Sequence, residues 1–355
     1  MSQLDGPVLF LRSGGNAVDV FIILSGFVIF YLLNSSKDKF SYREYVVARY
    51  FRLAPALIFF MVLAMILMPY KGWMLEGMPE GYEKNVLMSK FLSSLEFYWV
   101  SVFMKVVMLH GLVPDGVLGN IAHGILEPAW SISLEWQFYL VAPLIFYMIH
   151  RRKFFVAFSC FAVVYAVFFL LKYWGFSWGK SFLPFSFGSF FIGIVSCYLY
   201  VSNDRRLCCF WALFLVFAGG GACILKGTIW SGPHLALWIW ALAFWGTVFK
   251  DKFVVRFFEG RFFLHFGKIS YSIYLSHMPC LVVAHLMLRE FSEGLEYEWG
   301  MLALLTLFLT YLLSLFSYKY IELGGVKLGR FINSRIGLWF HGRRSASGSS
   351  VNSSD

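Results

Sequence analysis

A chain of 355 residues that is 59% hydrophobic, 21% aromatic and 14% charged carries more apolar surface than an ordinary soluble domain can hide. Its mean hydropathy of +0.68 makes lipid the natural solvent for most of it. The net charge of +10 does not mark a nucleic-acid binder, because the basic residues are scattered between apolar runs and form no single block.

Taken in chain order, the first sixteen residues, MSQLDGPVLFLRSGGN, lack the basic start and apolar core of a signal peptide. Beyond them come apolar runs near the length of about 20 residues that a helix needs to cross a bilayer. They predict an all-α, polytopic transmembrane helical bundle of about nine spans. These lie near residues 17–33, 45–68, 135–149, 154–171, 182–201, 207–225, 233–250, 268–288 and 300–320. The longest connection is 69–134. Its stretch 94–112 is apolar, but Glu96 and Lys105 argue for an interfacial or re-entrant segment over a tenth span. The integral-membrane domain is expected over 1–335. A basic, then serine-rich tail over 336–355 ends in SASGSSVNSSD, which has nothing to pack and reads as disordered.

Charge orients these spans. Lys37, Lys39 and Arg43 fill the first connection, Arg151, Arg152 and Lys153 the third, Arg205 and Arg206 the fifth, and Lys252, Arg256 and Arg261 the seventh. The alternate connections are poor in Lys and Arg, and 289–299 carries Glu290, Glu293, Glu296 and Glu298. By the positive-inside rule the odd connections are cytoplasmic, as is the C-terminal stretch with Lys327, Arg330, Arg335, Arg343 and Arg344. Nine spans then leave the N-terminus outside, and one more helix before Met1 would place both ends inside. The six cysteines lie in or beside apolar segments without ligand spacing, so they read as small buried residues and no metal is expected.

Ionisable groups inside spans are costly and therefore candidates for function. Arg49 and Arg52, in VVARYFRLAP, are three apart on one helix face, which suits an anionic cytosolic ligand. The same pair also serves as a topology signal or snorkels to headgroups. In PAWSISLEWQFYLVAPLIF, Trp130, Ser131 and Ser133 stand at the threshold of a span, where they can cap it and offer hydrogen bonds. Capping explains Glu135 poorly; a carboxyl there can work as an acid or base. His277, in GKISYSIYLSHMPCLVV, falls deep in a span with Tyr271, Ser272, Tyr274 and Ser276 nearby. It is either a packed histidine or a working one. Asp19 sits at the start of the first span, just before FIILSGF, where Ser25 and Gly26 permit close helix approach. His110, His123 and His150 read as loop or interface residues.

Five segments together resemble acyltransferase family 3, membrane proteins that O-acylate bacterial surface polysaccharides, lipopolysaccharide and some small glycosides. They are GGNAVDVFIILSGFVI, ARYFRLAPAL, PAWSISLEWQFYLVAPL, FGKISYSIYLSHMP and YKYIELGGVKLGR, in the family's order over about residues 10–335. In the last, Gly324 and Gly325 stand where a proline is common. The resemblance implies a ten-helix domain that takes an acyl group, usually acetyl, from cytosolic acyl-CoA to a sugar hydroxyl at the outer face. It implies that Arg49 and Arg52 contact CoA and that Glu135 works on the acceptor side. The family also opens with a helix carrying a basic residue and, eleven positions later, a histidine. Leu4-Asp5-Gly6 resembles its start, yet no histidine precedes His110, and a start upstream of Met1 is the expectation.

The reading from sequence is thus a multi-pass O-acyltransferase of the bacterial cytoplasmic membrane using acetyl-CoA or another acyl-CoA. Its partners are membrane lipid and an envelope carbohydrate acceptor such as lipopolysaccharide O-antigen or exopolysaccharide, with no nucleic acid. Glu135 and His277 are the candidate catalytic residues, and Arg49 and Arg52 the candidate CoA contacts. Asp19, Trp130, Ser131, Ser133 and Tyr274 are candidate acceptor-side or supporting residues. Two rivals stay open: a transporter or flippase for an envelope glycan, which would show inverted repeats, and a truncated, inactive acyltransferase.

Overall fold

The computed structural model describes residues 14–77, 80–115, 117–118, 121–226, 233–291 and 299–335. The N-terminal segment, most of the acidic connection and the serine-rich tail, for which expectations were given above, lie outside the described residues. Among the described residues the chain is helical, without strands. The helices are α1 (Gly14–Ser35), α2 (Tyr42–Ile66), α3 (Met68–Glu76), α4 (Tyr82–Glu96), α5 (Tyr98–Val106) and α6 (Ala129–His150). They continue as α7 (Phe154–Tyr173), α8 (Leu183–Ser202), α9 (Arg205–Lys226), α10 (Pro233–Phe249), α11 (Lys252–Phe258), α12 (Arg261–Phe291) and α13 (Trp299–Ser317).

Seven of these are long and apolar enough to cross a membrane: α1, α2, α6, α8, α9, α12 and α13 with its extension to Arg335. α7 and α10 contain the shorter apolar helices Ser159–Tyr173 and His234–Phe249. All nine fall on the nine predicted spans. The segment 94–112 contributes α5, whose nine residues rise only about 14 Å, too little to cross.

Three boundaries differ from expectation. α6 begins at Ala129, so Trp130, Ser131 and Ser133 lie inside the helix and do not cap it. Polar side chains depress the local hydropathy there, but burial against partners keeps the helix going. α12 runs 31 residues and takes in Arg261, which was expected in a connection. α13 passes through a π-helical turn, Tyr318–Glu322, and continues as helix to Arg335.

The chain divides into two compact units. The first holds α1, the later part of α6, and α7 to α11. Its α1 and α8 approach backbone to backbone: a Cβ on Gly26 would strike the Phe190 carbonyl, and one on Gly193 the Ile23 carbonyl. Small residues at a crossing are what permit such packing where lipid offers no hydrophobic drive between helices. Beside it, buried Ser196 accepts from Trp211 Nε1 at 2.9 Å and Trp240 Nε1 at 3.0 Å, and donates to Ile192 O at 2.8 Å. Gln137 fixes the entry to α8, donating to Ser181 O at 2.9 Å and accepting from Leu183 N at 3.0 Å. Asp204 accepts from Arg206 N and Leu207 N and so caps α9.

The second unit holds α2 to α5, the first turns of α6, most of α12, and α13. Pro55 lacks an N–H, which frees the Phe51 carbonyl inside α2. That carbonyl faces Gly325, where a Cβ would stand 2.5 Å away. Glycine at 325 lets the extension of α13 lie directly on the α2 backbone. A polar seam joins α12 to α13: Ser272 Oγ lies 2.8 Å from Ser317 Oγ, and Ser276 Oγ 3.1 Å from Ser314 Oγ. Tyr271 adds a bond from its hydroxyl to Leu53 O at 2.8 Å. The α3–α5 region is tied by a Lys71–Glu127 ion pair at 2.9 Å and by Arg289 stacked 3.5 Å over the Trp73 ring.

Candidate active site

Within the second unit the side chains singled out from sequence gather around the first turns of α6. Glu135 is buried, and its carboxylate stands within electrostatic range of Tyr45 on α2 and of Tyr274 on α12. On the α2 side, Arg49 is buried with its guanidinium carbon 5.6 Å from the Tyr45 ring centroid. On the α12 side, Ser131 Oγ donates to Tyr274 Oη at 2.9 Å, and the Tyr274 and His277 rings are 6.0 Å apart between centroids. A carboxylate, a guanidinium, two phenols, a hydroxyl and an imidazole thus share one neighbourhood of an otherwise apolar unit.

The histidine is set in a usable form. His277 Nδ1 is 2.7 Å from Tyr274 O, and a carbonyl can only accept, so Nδ1 carries the proton. Nε2 therefore keeps its lone pair and is the basic nitrogen, as a general base requires.

The two arginines part company. They share a face of α2 by spacing, yet Arg49 is buried and Arg52 is exposed. Arg52 lies in the field of Glu322, on the π-helical turn. Glu322 in turn accepts from Ser272 Oγ. Sequence reasoning quoted Glu322 within a motif without giving it a role, although a lone carboxylate in YKYIELGG was the available signal. Single π-helical turns are frequent at functional sites.

Other predicted positions are structural or lie elsewhere. Ser133 donates to Met108 O at 2.8 Å and accepts from Gly111 N at 2.9 Å, which clamps the turn after α5 onto α6. Trp130 packs against His123 with centroids 6.3 Å apart. Asp19 is half-buried on α1, in the other unit. His110, expected at a loop or interface, is fully buried, with Nε2 2.9 Å from Ala129 O. Burial, helped by the nearby Lys105 charge, pushes its pKa down to about 3. Lys105 is itself fully buried, donating to Ile121 O and to Ser101 Oγ at 3.4 Å; burial and then Lys71 bring it down to about 7. Among the described residues no cluster of His, Cys, Asp or Glu has the makings of a metal site.

Apolar helices long enough to cross a bilayer, with a carboxylate, imidazole and guanidinium gathered in one unit, define a multi-pass membrane protein with polar chemistry inside it. The family profile described as the acyltransferase domain of family 3 matches residues 2–319, so the chain belongs to acyltransferase family 3 and is a membrane acyltransferase. No curated protein and no solved structure is significantly similar to it.

Proposed function

We propose that the protein moves an acyl group, acetyl in the first instance, from cytosolic acyl-CoA to a hydroxyl of an envelope carbohydrate. Its setting is the bacterial cytoplasmic membrane, with the basic connections and the C-terminus inside. The observation that carries this reading is buried Glu135 within electrostatic range both of Tyr45, which Arg49 flanks, and of Tyr274, which His277 flanks. Guanidinium groups suit the phosphates of the donor. The carboxylate and imidazole suit the proton of an attacking hydroxyl.

Arg52, exposed about one turn further along α2, is assigned to the CoA phosphates, and Arg49, buried beside Tyr45, to the part of the donor nearer the acyl group. Glu135 and His277 orient the acceptor hydroxyl and exchange its proton. Ser131 and Tyr274 hold that pair in register.

The test is transfer of labelled acetyl from acetyl-CoA to envelope glycan by full-length protein reconstituted in vesicles. Glu135→Gln keeps the shape and removes the base, and is expected to lower transfer about 100-fold or more. Transfer by Glu135→Gln at the unmodified rate would remove Glu135 from the mechanism.

A further inference from the structure

Tyr45 lies one turn before Arg49 on α2, is 7% exposed, and its Oη has no hydrogen-bond partner among the described residues. Leaving a buried hydroxyl unpaired costs about 1–3 kcal/mol, and phenylalanine would fill the same space without that cost. The hydroxyl is therefore placed for something other than packing.

Its surroundings narrow the choice of partner. Arg49 stands 5.6 Å from the ring centroid and Glu135 is within electrostatic range. A phosphate here is drawn by Arg49 and repelled by Glu135; an ammonium meets the opposite pair of forces. A neutral dipole with its oxygen toward Arg49 is acceptable to both. A carbonyl oxygen satisfies a phenolic O–H directly, and the guanidinium becomes useful when that oxygen gains charge. The Glu135 carboxylate, within electrostatic range of Tyr45, can take the proton of an attacking hydroxyl.

We propose that the Tyr45 hydroxyl donates a hydrogen bond to the thioester carbonyl oxygen of bound acyl-CoA and stabilises the oxyanion formed there. This rests on the acyl-CoA reading above. The acceptor oxygen bonds to the carbonyl carbon while its proton passes to Glu135, and the carbonyl π pair moves onto the oxygen held by Tyr45 and Arg49. The pair then returns, the C–S bond breaks, and the CoA sulfur leaves with the bonding electrons and takes the proton from Glu135. Acyl-CoA and alcohol become ester and free CoA thiol, with no other reactant.

The experiment compares the full chain with Tyr45→Phe in vesicles, using acetyl-CoA carrying ¹³C at the thioester carbonyl. Infrared difference spectra and binding of acetyl-CoA and free CoA are recorded without acceptor. On the unmodified protein the labelled carbonyl band is expected below its position in solution. In Tyr45→Phe it is expected to return toward solution, with acetyl-CoA binding about 2- to 10-fold weaker, free CoA binding unchanged and thermal stability undiminished. Turnover is expected to fall about 100-fold. A shifted band that persists in Tyr45→Phe, or an equal loss of acetyl-CoA and free CoA binding, would overturn the Tyr45 assignment while leaving the acyl-CoA reading standing. If the unmodified protein bound neither molecule, the acyl-CoA reading would fail and the proposal with it.

Discussion

Lys105 is the residue whose burial runs most directly against its chemistry. It sits in a helix too short to span, with its ammonium fully inside the protein and its pKa brought from 10.5 to about 7. Between those values the unfolded chain binds more protons than the folded one, so stability rises with pH from about 7 to 10.5. His110 behaves alike at lower pH. Its folded value near 3 lies under the ordinary 6.5, so its contribution is complete above 6.5 and is lost as pH falls toward 3. Thermal unfolding in detergent is expected to show both limbs, and Lys105→Met to flatten the upper one. An unaltered slope above pH 7 in Lys105→Met would place the titration on another group. Charge at 105 and polarity at 135 were visible in the sequence. The fate of each was not, because whether a lysine snorkels or is swallowed depends on carbonyls such as that of Ile121, brought in from sixteen residues away. Tyr45 went unnoticed for a related reason. A tyrosine is unremarkable in an aromatic-rich chain until its hydroxyl proves unpartnered.

Among the elements, the nine predicted spans each meet a helix because apolar runs of this length have few alternatives in lipid. Start points were less legible. α6 begins six residues before its predicted start, since Ser131 and Ser133 look like turn residues by composition but spend their hydroxyls on Tyr274 and Met108. The spacing of Arg49 and Arg52 gave a shared face, yet three residues on a helix also separate directions enough to bury one and expose the other. The α1–α8 crossing supplies a test of packing. In Gly193→Ala the added Cβ meets the Ile23 carbonyl and stands 2.7 Å from Phe27 N, both backbone atoms. The helices must part, at a cost of about 1–3 kcal/mol. A lowered unfolding temperature is the expected result, with Gly188→Ala, which meets open space, as the control. Equal temperatures for the two variants would contradict the close crossing.

For the whole molecule, the family assignment makes this a membrane acyltransferase, and the charge pattern predicts an orientation that can be tested. If the basic connections face the cytosol, a cysteine introduced as Arg152→Cys is protected from an impermeant thiol reagent in intact cells. One introduced as Lys180→Cys, in the following connection, is labelled. The reverse pattern would invert the donor and acceptor sides. Domain-level function was legible because five motifs in order carry the family. The division of labour within the site was not, since it depends on which helices face one another. The most direct measurement is binding of labelled acetyl-CoA to the full-length protein reconstituted in vesicles, with and without Arg52→Ala. Saturable binding that weakens about tenfold or more in Arg52→Ala is the expected result for a phosphate contact made by a charge. No binding at all, or binding indifferent to Arg52, would contradict the assignment of acyl-CoA to this site.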